Sequence, residues 1–396
     1  MTVLRALVFS ILVCGVLSLV RAAGDWGPAR AGVSADAGRQ AAPYPGCMKI
    51  FNGENFEGWE ADPSTWSIVD GAMRGVDGSS RLAFTKADYG SFRLIFTARM
   101  NPVNGEQYLI EETMALKVWL ITGASKGFGL ELTKAALAAG DAVVATARDP
   151  QMIDKAIGSG ERLLTIPLDV TSEKQAQQAV ERTLERFGQI DVLVNNAGRG
   201  LVGAIEEVSA EEVRSIIAVN VEGTLNVLRS ALPSMRARRS GHILNLSSVG
   251  GFVSWPGWGI YCATKFMIEG VSEALHAELK PLGIKVTIIE PGPFRTDFLD
   301  VSSLGRSKET ISDYSGSSGA AREWADSSHS AQPGDPAKAV AAMVKITEVN
   351  NPPLRLQLGA DCVASISAKL EQVKEELEQW RELAESTAYL PEGSAA

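Results

Sequence analysis

The sequence predicts an α/β protein whose main domain, from about Met114 onward, is a doubly wound parallel sheet. Residues 117–122 form a continuous apolar run, which is typical of a strand buried on both faces of such a sheet. After this run, helical stretches alternate with short apolar strands, as in folds whose parallel strands are joined by helices. We place the further strands at residues 142–147, 163–168, 190–194, 242–246 and 285–289.

Two helix starts in this domain carry capping signals. Ser209 and Glu212 form a capping box that opens a helix through Asn220, and Asp335 is an N-cap followed by Pro336 in the first turn. Residues 315–330 are rich in serine, alanine and glycine and predict a mobile loop.

A charged helix near the C-terminus carries apolar residues at spacings of three and four, at Leu370, Val373, Leu377, Trp380 and Ala384. Two heptads are short for a coiled coil, so the pattern favours packing of this helix on the chain's own body. The alternative is a dimer seam, and hence a homo-oligomer.

The first part of the chain has a different character. Residues 1–23 predict a secretory signal peptide, because Arg5 precedes an apolar run at 7–20 and a small-residue cleavage site ends at Ala22. An uncleaved membrane anchor is the alternative. Residues 24–46, rich in glycine, alanine and proline, predict a linker. Residues 47–113 form a β-rich segment with strand-like stretches around 66–69 and 92–97.

Composition excludes two classes of function. The chain of 396 residues has a formal net charge of -9, and it has no cluster of basic and aromatic residues, which argues against nucleic-acid binding. Its four cysteines include no CxxC pair and its three histidines lack ligand spacing, so we expect no metal site.

A glycine-rich turn follows the first strand of the main domain. Gly123, Gly127 and Gly129 form a GxxxGxG pattern directly before a helix. Gly123 permits a tight turn, while Gly127 and Gly129 let the backbone approach a pyrophosphate at the positive end of the helix. A glycine-rich turn without a ligand is the alternative.

The end of the second strand carries Arg148, where an NAD-preferring site has a carboxylate. Lys126 in the glycine turn adds a second cation on the same side. Each could be an ordinary surface ion pair, but their coincidence favours NADP(H) over NAD(H), because a guanidinium matches the geometry of a phosphate.

A YxxxK motif is formed by Tyr261 and Lys265, which fall one helical turn apart on one face. Ser248 lies thirteen residues before Tyr261, at the end of the strand 242–246. Open α/β sheets bind their ligands at such strand ends, so the three side chains are candidates for one site.

These motifs together resemble the short-chain dehydrogenase/reductase family, within it the 17β-hydroxysteroid-dehydrogenase-like NADP branch. The resemblance covers residues 114–396 and rests on TGxxxGxG, the run Asn195-Asn196-Ala197-Gly198, Asn220, Ser248, YxxxK and Pro291-Gly292, in the family's order. It implies a Rossmann fold and hydride transfer between a nicotinamide and a carbonyl or alcohol.

The resemblance also implies roles for single residues. Tyr261 would be the general acid/base, Ser248 would bond the substrate oxygen, Asn220 would fix a water and Lys265 would hold the nicotinamide ribose. Two unit charges about 4 Å apart at an effective dielectric of about 20 interact by roughly 4 kcal/mol. Lys265 is therefore expected to lower the tyrosine pKa from about 10 towards about 7.

By the same resemblance, a nicotinamide cofactor would contact the glycine turn, the ends of the strands and the segment after the last predicted strand. The residues concerned are Gly123, Ser125, Lys126, Gly127, Phe128, Gly129, Arg148, Asp169, Val170, Asn196, Ala197, Gly198, Tyr261, Lys265, Pro291, Gly292 and Thr296.

The substrate side carries aromatic and aliphatic residues without a carboxylate or phosphate clamp, at Phe252, Trp255, Trp258, Phe294, Phe298 and Leu299. They favour an apolar carbonyl or alcohol substrate, with core packing as the alternative. Arg199 is a candidate for a polar substrate end, or a solvated loop residue. Residues 296–333 would be the family's mobile substrate loop.

A second resemblance covers residues 47–113. The run from Phe51 to Trp59 and the later segment 66–71 are similar to the opening of the β-sandwich family of 3-keto-disaccharide hydrolases. A few strands from one end of a sandwich leave edges uncovered, which predicts a fragment. A secreted carbohydrate-acting protein with the dehydrogenase joined by fusion is thus the rival hypothesis. A signal peptide implies export or membrane association, whereas an NADP(H) enzyme is expected in the cytoplasm.

Overall fold

The computed structural model describes residues 116–389 throughout and, before them, only seven strand segments. These are β1 (Leu7–Cys14), β2 (Cys47–Met48), β3 (Trp59–Ala61), β4 (Trp66–Val69), β5 (Ala72–Gly75), β6 (Leu82–Phe84) and β7 (Arg93–Met100). The chain divides into two compact units, residues 1–116 with 238–240 and residues 117–237 with 241–396.

The described strands of the first unit pair in antiparallel fashion. Strand β1 pairs with β2, β5 and β7, β4 pairs with β5, and β3 pairs with β6. The strands predicted around 66–69 and 92–97 are present as β4 and β7. Strand β1 lies in the segment predicted as a signal peptide, and that assignment stays a prediction, as does the partial sandwich. The predicted linker at 24–46 lies outside the described residues.

The second unit is built on seven parallel strands in the order β10-β9-β8-β11-β13-β14-β16. Two short strands, β12 and β15, pair separately with each other. The bounds are β8 (Val118–Ile121), β9 (Ala142–Ala147), β10 (Leu163–Pro167), β11 (Val192–Asn195), β12 (Gly200–Val202), β13 (Gly241–Leu246), β14 (Ile284–Pro291), β15 (Leu304–Arg306) and β16 (Arg355–Leu358). The predicted doubly wound parallel sheet is confirmed, and the edge strand β16 is an addition to it.

Helices connect these strands. They are α1 (Gly127–Ala138), α2 (Gln151–Ile157), α3 (Glu173–Phe187), α4 (Ala210–Ile217), α5 (Gly223–Arg238), α6 (Gly259–Leu279), α7 (Ala320–Ser328), α8 (Pro336–Ile346) and α9 (Ala360–Glu385). The capping box of Ser209 and Glu212 is formed, and Asp335 accepts hydrogen bonds from the first turn of α8. A π-helical turn, Ala218–Glu222, follows α4 and contains Asn220.

The core has two layers because successive residues of a buried strand face opposite sides of the sheet. On β8, Trp119 packs in a cluster with Leu132 of α1 and Met343 of α8. The next residue, Leu120, packs in the other cluster with Val180 of α3 and Val227 of α5. Each such side chain contributes about 1.5 to 3 kcal/mol on burial, so both helix layers are held to the sheet.

The strand order changes direction at the centre of the sheet. After β8 the chain adds β9 and β10 on one side, and it then returns to add β11 and β13 on the other. The connections after β8 and β11 therefore separate at their carboxyl ends, which leaves a crevice there for a ligand.

Residues 315–330, predicted as a mobile loop, are largely helical. A π-helical turn at Ser315–Gly319 leads directly into α7, and Ser318 and Ala325 are buried. The loop prediction is wrong because it was based on composition alone, whereas these residues are held by long-range contacts.

One buried carboxylate holds this segment. Glu207 accepts hydrogen bonds from the backbone amides of Ala204 at 2.7 Å and Ile311 at 2.8 Å. It also accepts from the Ser318 hydroxyl at 3.1 Å and forms an ion pair with Arg322. Two parts of the chain that are more than a hundred residues apart, 204–207 and 311–322, thus meet at one side chain.

Helix α9 does not pack along its length. Cys362 and Ile366 are buried, but the later apolar residues Leu370, Val373, Leu377 and Trp380 are 47 to 58% exposed. The predicted packing on the chain's own body is therefore wrong for this half of the helix.

Among the described residues, no helix is both long and apolar enough to span a membrane.

We expect Glu207→Gln to destabilise the protein at pH 7 by roughly 3 to 5 kcal/mol, since it leaves the Arg322 guanidinium without its buried partner. The contacts of Glu207 lower its pKa from 4.5 to about 2. Because the folded-state pKa lies below the unfolded value, ionised Glu207 stabilises the fold fully above about pH 4.5. This stabilisation is lost as the pH falls from about 4.5 to about 2. Urea unfolding at pH 7 and pH 3 should therefore show a smaller effect of the variant at pH 3.

The matched control is Glu206→Gln, which changes the exposed neighbouring carboxylate. Glu206→Gln should lower the free energy of unfolding much less than Glu207→Gln does at pH 7, and it should have little effect at pH 3. An equal loss for the two variants would contradict the role assigned to Glu207.

We also expect a chain that starts at Met114 to fold without the preceding residues, because the seven-stranded sheet and both of its helix layers lie within the second unit. A single cooperative thermal transition and the far-ultraviolet spectrum of an α/β protein would support this. Insoluble or unfolded material, obtained while the full chain folds, would show that the second unit needs the first.

Candidate functional site

A large cavity opens at the carboxyl ends of the parallel strands. Its volume is about 960 Å³, within the range of small-molecule sites. Most of the predicted site residues line it, namely Gly123, Ser125, Lys126, Gly127, Phe128, Arg148, Asp169, Val170, Asn196, Ala197, Gly198, Ser248, Tyr261, Lys265, Pro291, Gly292 and Thr296. Gly129 and Asn220 are not part of its wall.

The glycine turn has the backbone of an anion site. Gly123 and Gly127 have φ angles of +65° and +55°, in the left-handed region that favours glycine. Helix α1 begins at Gly127 with no side-chain cap and no acidic residue in its first turn. The first amides of this helix are therefore free to bind an anionic group, as a dinucleotide pyrophosphate requires.

Gly129 is needed for packing. A Cβ at this position would lie 2.4 Å from the Gly123 carbonyl oxygen and 2.6 Å from Nδ2 of Asn196. That amide nitrogen donates to the carbonyls of Thr122 and Gly123 at 2.8 and 3.0 Å. The close approach expected at Gly129 is thus to the chain itself.

The two predicted cations differ in their surroundings. Arg148 is exposed directly after β9, and no described residue pairs with its guanidinium. Lys126 donates instead to the hydroxyl of Ser302, which in turn donates to Asp300. Arg148 is therefore the cation that is available to a ligand at this end of the cavity.

Ser248, Tyr261 and Lys265 are all at least nine-tenths buried. Tyr261 and Lys265 lie one turn apart on α6, and the Lys265 Nζ is 5.9 Å from the centre of the tyrosine ring. Ser248 follows β13, and its Oγ accepts a hydrogen bond from the Gly250 amide at 3.0 Å. The structure thus brings together the three residues that the sequence analysis had grouped.

The electrostatics of this triad differ from the expectation. Burial raises the pKa of Tyr261 above its ordinary value, although a hydrogen bond with Ser248 opposes the rise. Burial also lowers the pKa of Lys265 to about 8, against the attraction of Glu269. The expected lowering of the tyrosine pKa is therefore wrong for the chain alone, because desolvation raises this pKa.

Lys265 and Asn220 are both anchored to backbone. The Lys265 Nζ donates to the Leu246 carbonyl at 2.7 Å. The Asn220 side chain accepts from the Arg199 amide and donates to the Arg199 carbonyl, both at 2.9 Å, and donates to the Thr264 hydroxyl at 3.0 Å. Asn220 thus ties the connection after β11 to helix α6, and its role in fixing a water stays a prediction.

An aromatic group surrounds the Tyr261 ring. Its ring centre lies 5.9 Å from that of Trp258 and 5.5 Å from that of Phe298. Trp324 of α7 extends the group, at 6.1 Å from Trp258. Trp255, Phe294 and Leu299 also line the cavity as predicted, whereas Phe252 packs behind it against a cluster with Ile366.

Sequence reasoning missed several wall residues. Trp324 lay in the segment predicted as a loop, and Asp361, Cys362 and Ser365 come from the start of α9. The signal for the α9 group was the short strand β16, which ends at the sheet's carboxyl edge directly before this helix.

Among residues 116–389, no group of three metal-ligating side chains could hold an ion.

Comparison with known families agrees with these motifs. Residues 117–306 match the model of the short chain dehydrogenase family. Residues 46–116 match the model of the 3-keto-alpha-glucoside-1,2-lyase-like domain, which confirms the second resemblance.

Three curated relatives are similar to the second unit. Oxidoreductase BOA17 of Botryotinia fuckeliana is 36% identical over 69% of this chain and 99% of its own length. A 3-ketodihydrosphingosine reductase of Bacteroides thetaiotaomicron is 38% identical over 62% of this chain and 89% of its own. Human 17-beta-hydroxysteroid dehydrogenase type 1 is 40% identical over 50% of this chain and 62% of its own.

Solved structures show the same architecture. A short-chain dehydrogenase from Streptomyces avermitilis is 42% identical, with a TM-score of 0.65 over 69% of this chain and 100% of its own. A 3-ketoacyl-(acyl-carrier-protein) reductase from Brucella melitensis in complex with NADH is 28% identical, with a TM-score of 0.51, covering 61% and 96%. A serine dehydrogenase in complex with NADP+ is 27% identical, with a TM-score of 0.52, covering 61% and 94%.

The similarity extends over 99% of the length of oxidoreductase BOA17 and the whole of the Streptomyces avermitilis structure. From residue 117 onward, the chain belongs to the short-chain dehydrogenase family of oxidoreductases.

Proposed function

We propose that the protein is an NADP(H)-dependent enzyme that interconverts a carbonyl and an alcohol on an apolar substrate, with Tyr261 as the acid/base. The observation that carries this proposal is that Tyr261, Ser248 and Lys265 lie buried on the wall of the same cavity as the glycine turn. A nicotinamide dinucleotide held at that turn would supply the hydride.

The protonation of Tyr261 suits carbonyl reduction. An ordinary phenol has a pKa of about 10 and burial raises that of Tyr261 further, so its Oη carries a proton at neutral pH that it can give to the substrate oxygen. Ser248 can donate a hydrogen bond to the same oxygen as negative charge develops there. Lys265 uses one N–H on the Leu246 carbonyl, which leaves two protons to hold ribose hydroxyls.

The choice of NADP(H) rests on charge. Similar structures hold either NADH or NADP+, so the fold itself leaves the choice open. Arg148 is exposed at the end of β9, beside the place of the adenosine ribose in a dinucleotide fold. An unpaired guanidinium there favours a 2'-phosphate, with which it can form two hydrogen bonds.

The apolar substrate is supported by the aromatic group around Tyr261. Trp258, Phe298 and Trp324 line the same cavity as Tyr261, so a substrate whose carbonyl reaches the Tyr261 hydroxyl would have apolar surface beside it. Two relatives are, by name, a 3-ketodihydrosphingosine reductase and a hydroxysteroid dehydrogenase, whose substrates are lipids.

We expect Arg148→Asp to reverse the cofactor preference from NADPH to NADH, because a carboxylate repels the 2'-phosphate and can accept from a free 2'-hydroxyl. Fluorescence titration of both cofactors against both proteins measures this. Arg182→Asp, an equal change of charge at an exposed position of α3, should leave the preference unchanged. An unaltered preference in Arg148→Asp would rule out this residue as the determinant.

We expect Tyr261→Phe to lower turnover by about a hundred- to ten-thousand-fold while NADPH binding stays nearly intact, because only the proton donor is removed. Apolar ketones, aldehydes and steroids screened by NADPH absorbance would provide the substrate. Lys265→Met should weaken both turnover and cofactor binding. If Tyr261→Phe kept more than about a tenth of wild-type turnover with chemistry rate-limiting, the proposed acid would be wrong.

A further inference from the structure

A cluster of carboxylates lies behind Lys265, away from the aromatic group. Glu269 follows Lys265 by one turn on α6 and is 6% exposed, while Glu290 near the end of β14 is fully buried. Arg355 of β16 lies between them, with its Nε 3.0 Å from Glu269 Oε2 and 3.2 Å from Glu290 Oε1. The proposed chemistry uses none of these three residues.

The cluster holds more acid than base. Arg355 also pairs with Glu273, which is 55% exposed, so three carboxyls share one guanidinium. Gln357 donates to Glu290 Oε2 at 2.6 Å, and among the described residues Arg355 is the one basic side chain that pairs with the two buried carboxyls. Two buried carboxylates cannot both carry full charge beside one arginine, so Glu269 and Glu290 share a proton near neutral pH.

The directions of the pKa values agree with this sharing. Burial and the neighbouring acid raise the pKa of Glu269 to about 7, and burial raises that of Glu290. The charge of Glu269 varies in the same pH range in which the enzyme is expected to work.

The charge of Glu269 acts on Lys265. On α6 it has Tyr261 on one side and Glu269 on the other, and the elements packed against it add uncharged groups, the Leu246 carbonyl and Gly198. The groups around Glu269 come from four elements: Glu290 of β14, Arg355 of β16, Ser247 after β13 and Cys362 of α9. Glu269 is therefore the anion that opposes the loss of the proton from buried Lys265.

We propose that Glu269 is a positioning residue for the reaction, whose buried carboxylate, shared with Glu290 and held by Arg355, keeps Lys265 positively charged at neutral and mildly alkaline pH. The inference rests on the proposed role of Lys265. Glu269 touches neither the substrate nor the cofactor, and it acts through the lysine alone.

The test compares three variants that each remove one charge from the cluster. Glu269→Gln removes the anion beside Lys265, so the lysine should lose its proton at lower pH. The alkaline limb of the kcat/KM profile for carbonyl reduction should then move down by about one pH unit. Glu273→Gln, on the same helix and the same arginine but exposed, should leave the limb in place.

Glu290→Gln separates electrostatics from packing. It disturbs the buried cluster as much as Glu269→Gln does, but it removes the acid that opposes ionisation of Glu269. The alkaline limb should therefore stay or move to higher pH. A downward shift in Glu290→Gln or in Glu273→Gln would overturn the proposal, as would an unchanged limb in Glu269→Gln.

A binding measurement tests the route through the lysine without turnover. The pH dependence of NADPH affinity, followed by fluorescence, should change with Glu269→Gln in the wild-type background. The same substitution should have no effect in Lys265→Met, because the responding group is gone. An equal effect in both backgrounds would overturn the inference. If instead the proposed function were wrong, Tyr261→Phe would retain turnover, whatever the effect of Glu269→Gln on NADPH affinity.

Discussion

A chain of hydrogen bonds from the glycine turn to helix α6 fixes the geometry of the site. Thr122 Oγ1 accepts from the amides of Asn196 and Ala197, each at 3.0 Å, which joins the ends of β8 and β11 at the switch point. Asn220 then binds the backbone of Arg199, two residues farther along. It also donates to Thr264, whose hydroxyl donates to the Tyr261 carbonyl at 2.7 Å. The proposed cofactor turn and the proposed acid are thus parts of one network, and neither can shift alone.

The predictable parts of this protein are those whose cause is local in sequence. The buried strands, the two capped helix starts and the glycine turn depend on neighbouring residues, and the structure has all of them. Long-range contacts decided the rest. Residues 315–330 have the composition of a loop, but the carboxylate of Glu207 holds them from more than a hundred positions away. The rise in the pKa of Tyr261 required knowledge of its burial, which no spacing rule supplies.

The same burial that shields the chemistry from water works against its charges. Burial raises the pKa of Tyr261, which keeps the phenol protonated but makes it a weaker acid, and it pushes Lys265 towards its neutral form. A lysine in this position needs a counter-charge that does not itself occupy the cavity. Glu269 meets that condition because it lies one turn farther along the same helix, and Arg355 offsets part of the cost of burying it.

Part of the cavity wall comes from residues beyond 306, where the match to the family model ends. Trp324 reaches the cavity from α7, and Asp361 and Cys362 reach it from the start of α9. Helix α7 is held in place by the ion pair between Arg322 and Glu207. Trp324 follows Arg322 by two residues, so the ion pair also fixes the helix that brings Trp324 to the cavity wall. The buried carboxylate of Glu207 therefore helps to shape the cavity, although it does not line it.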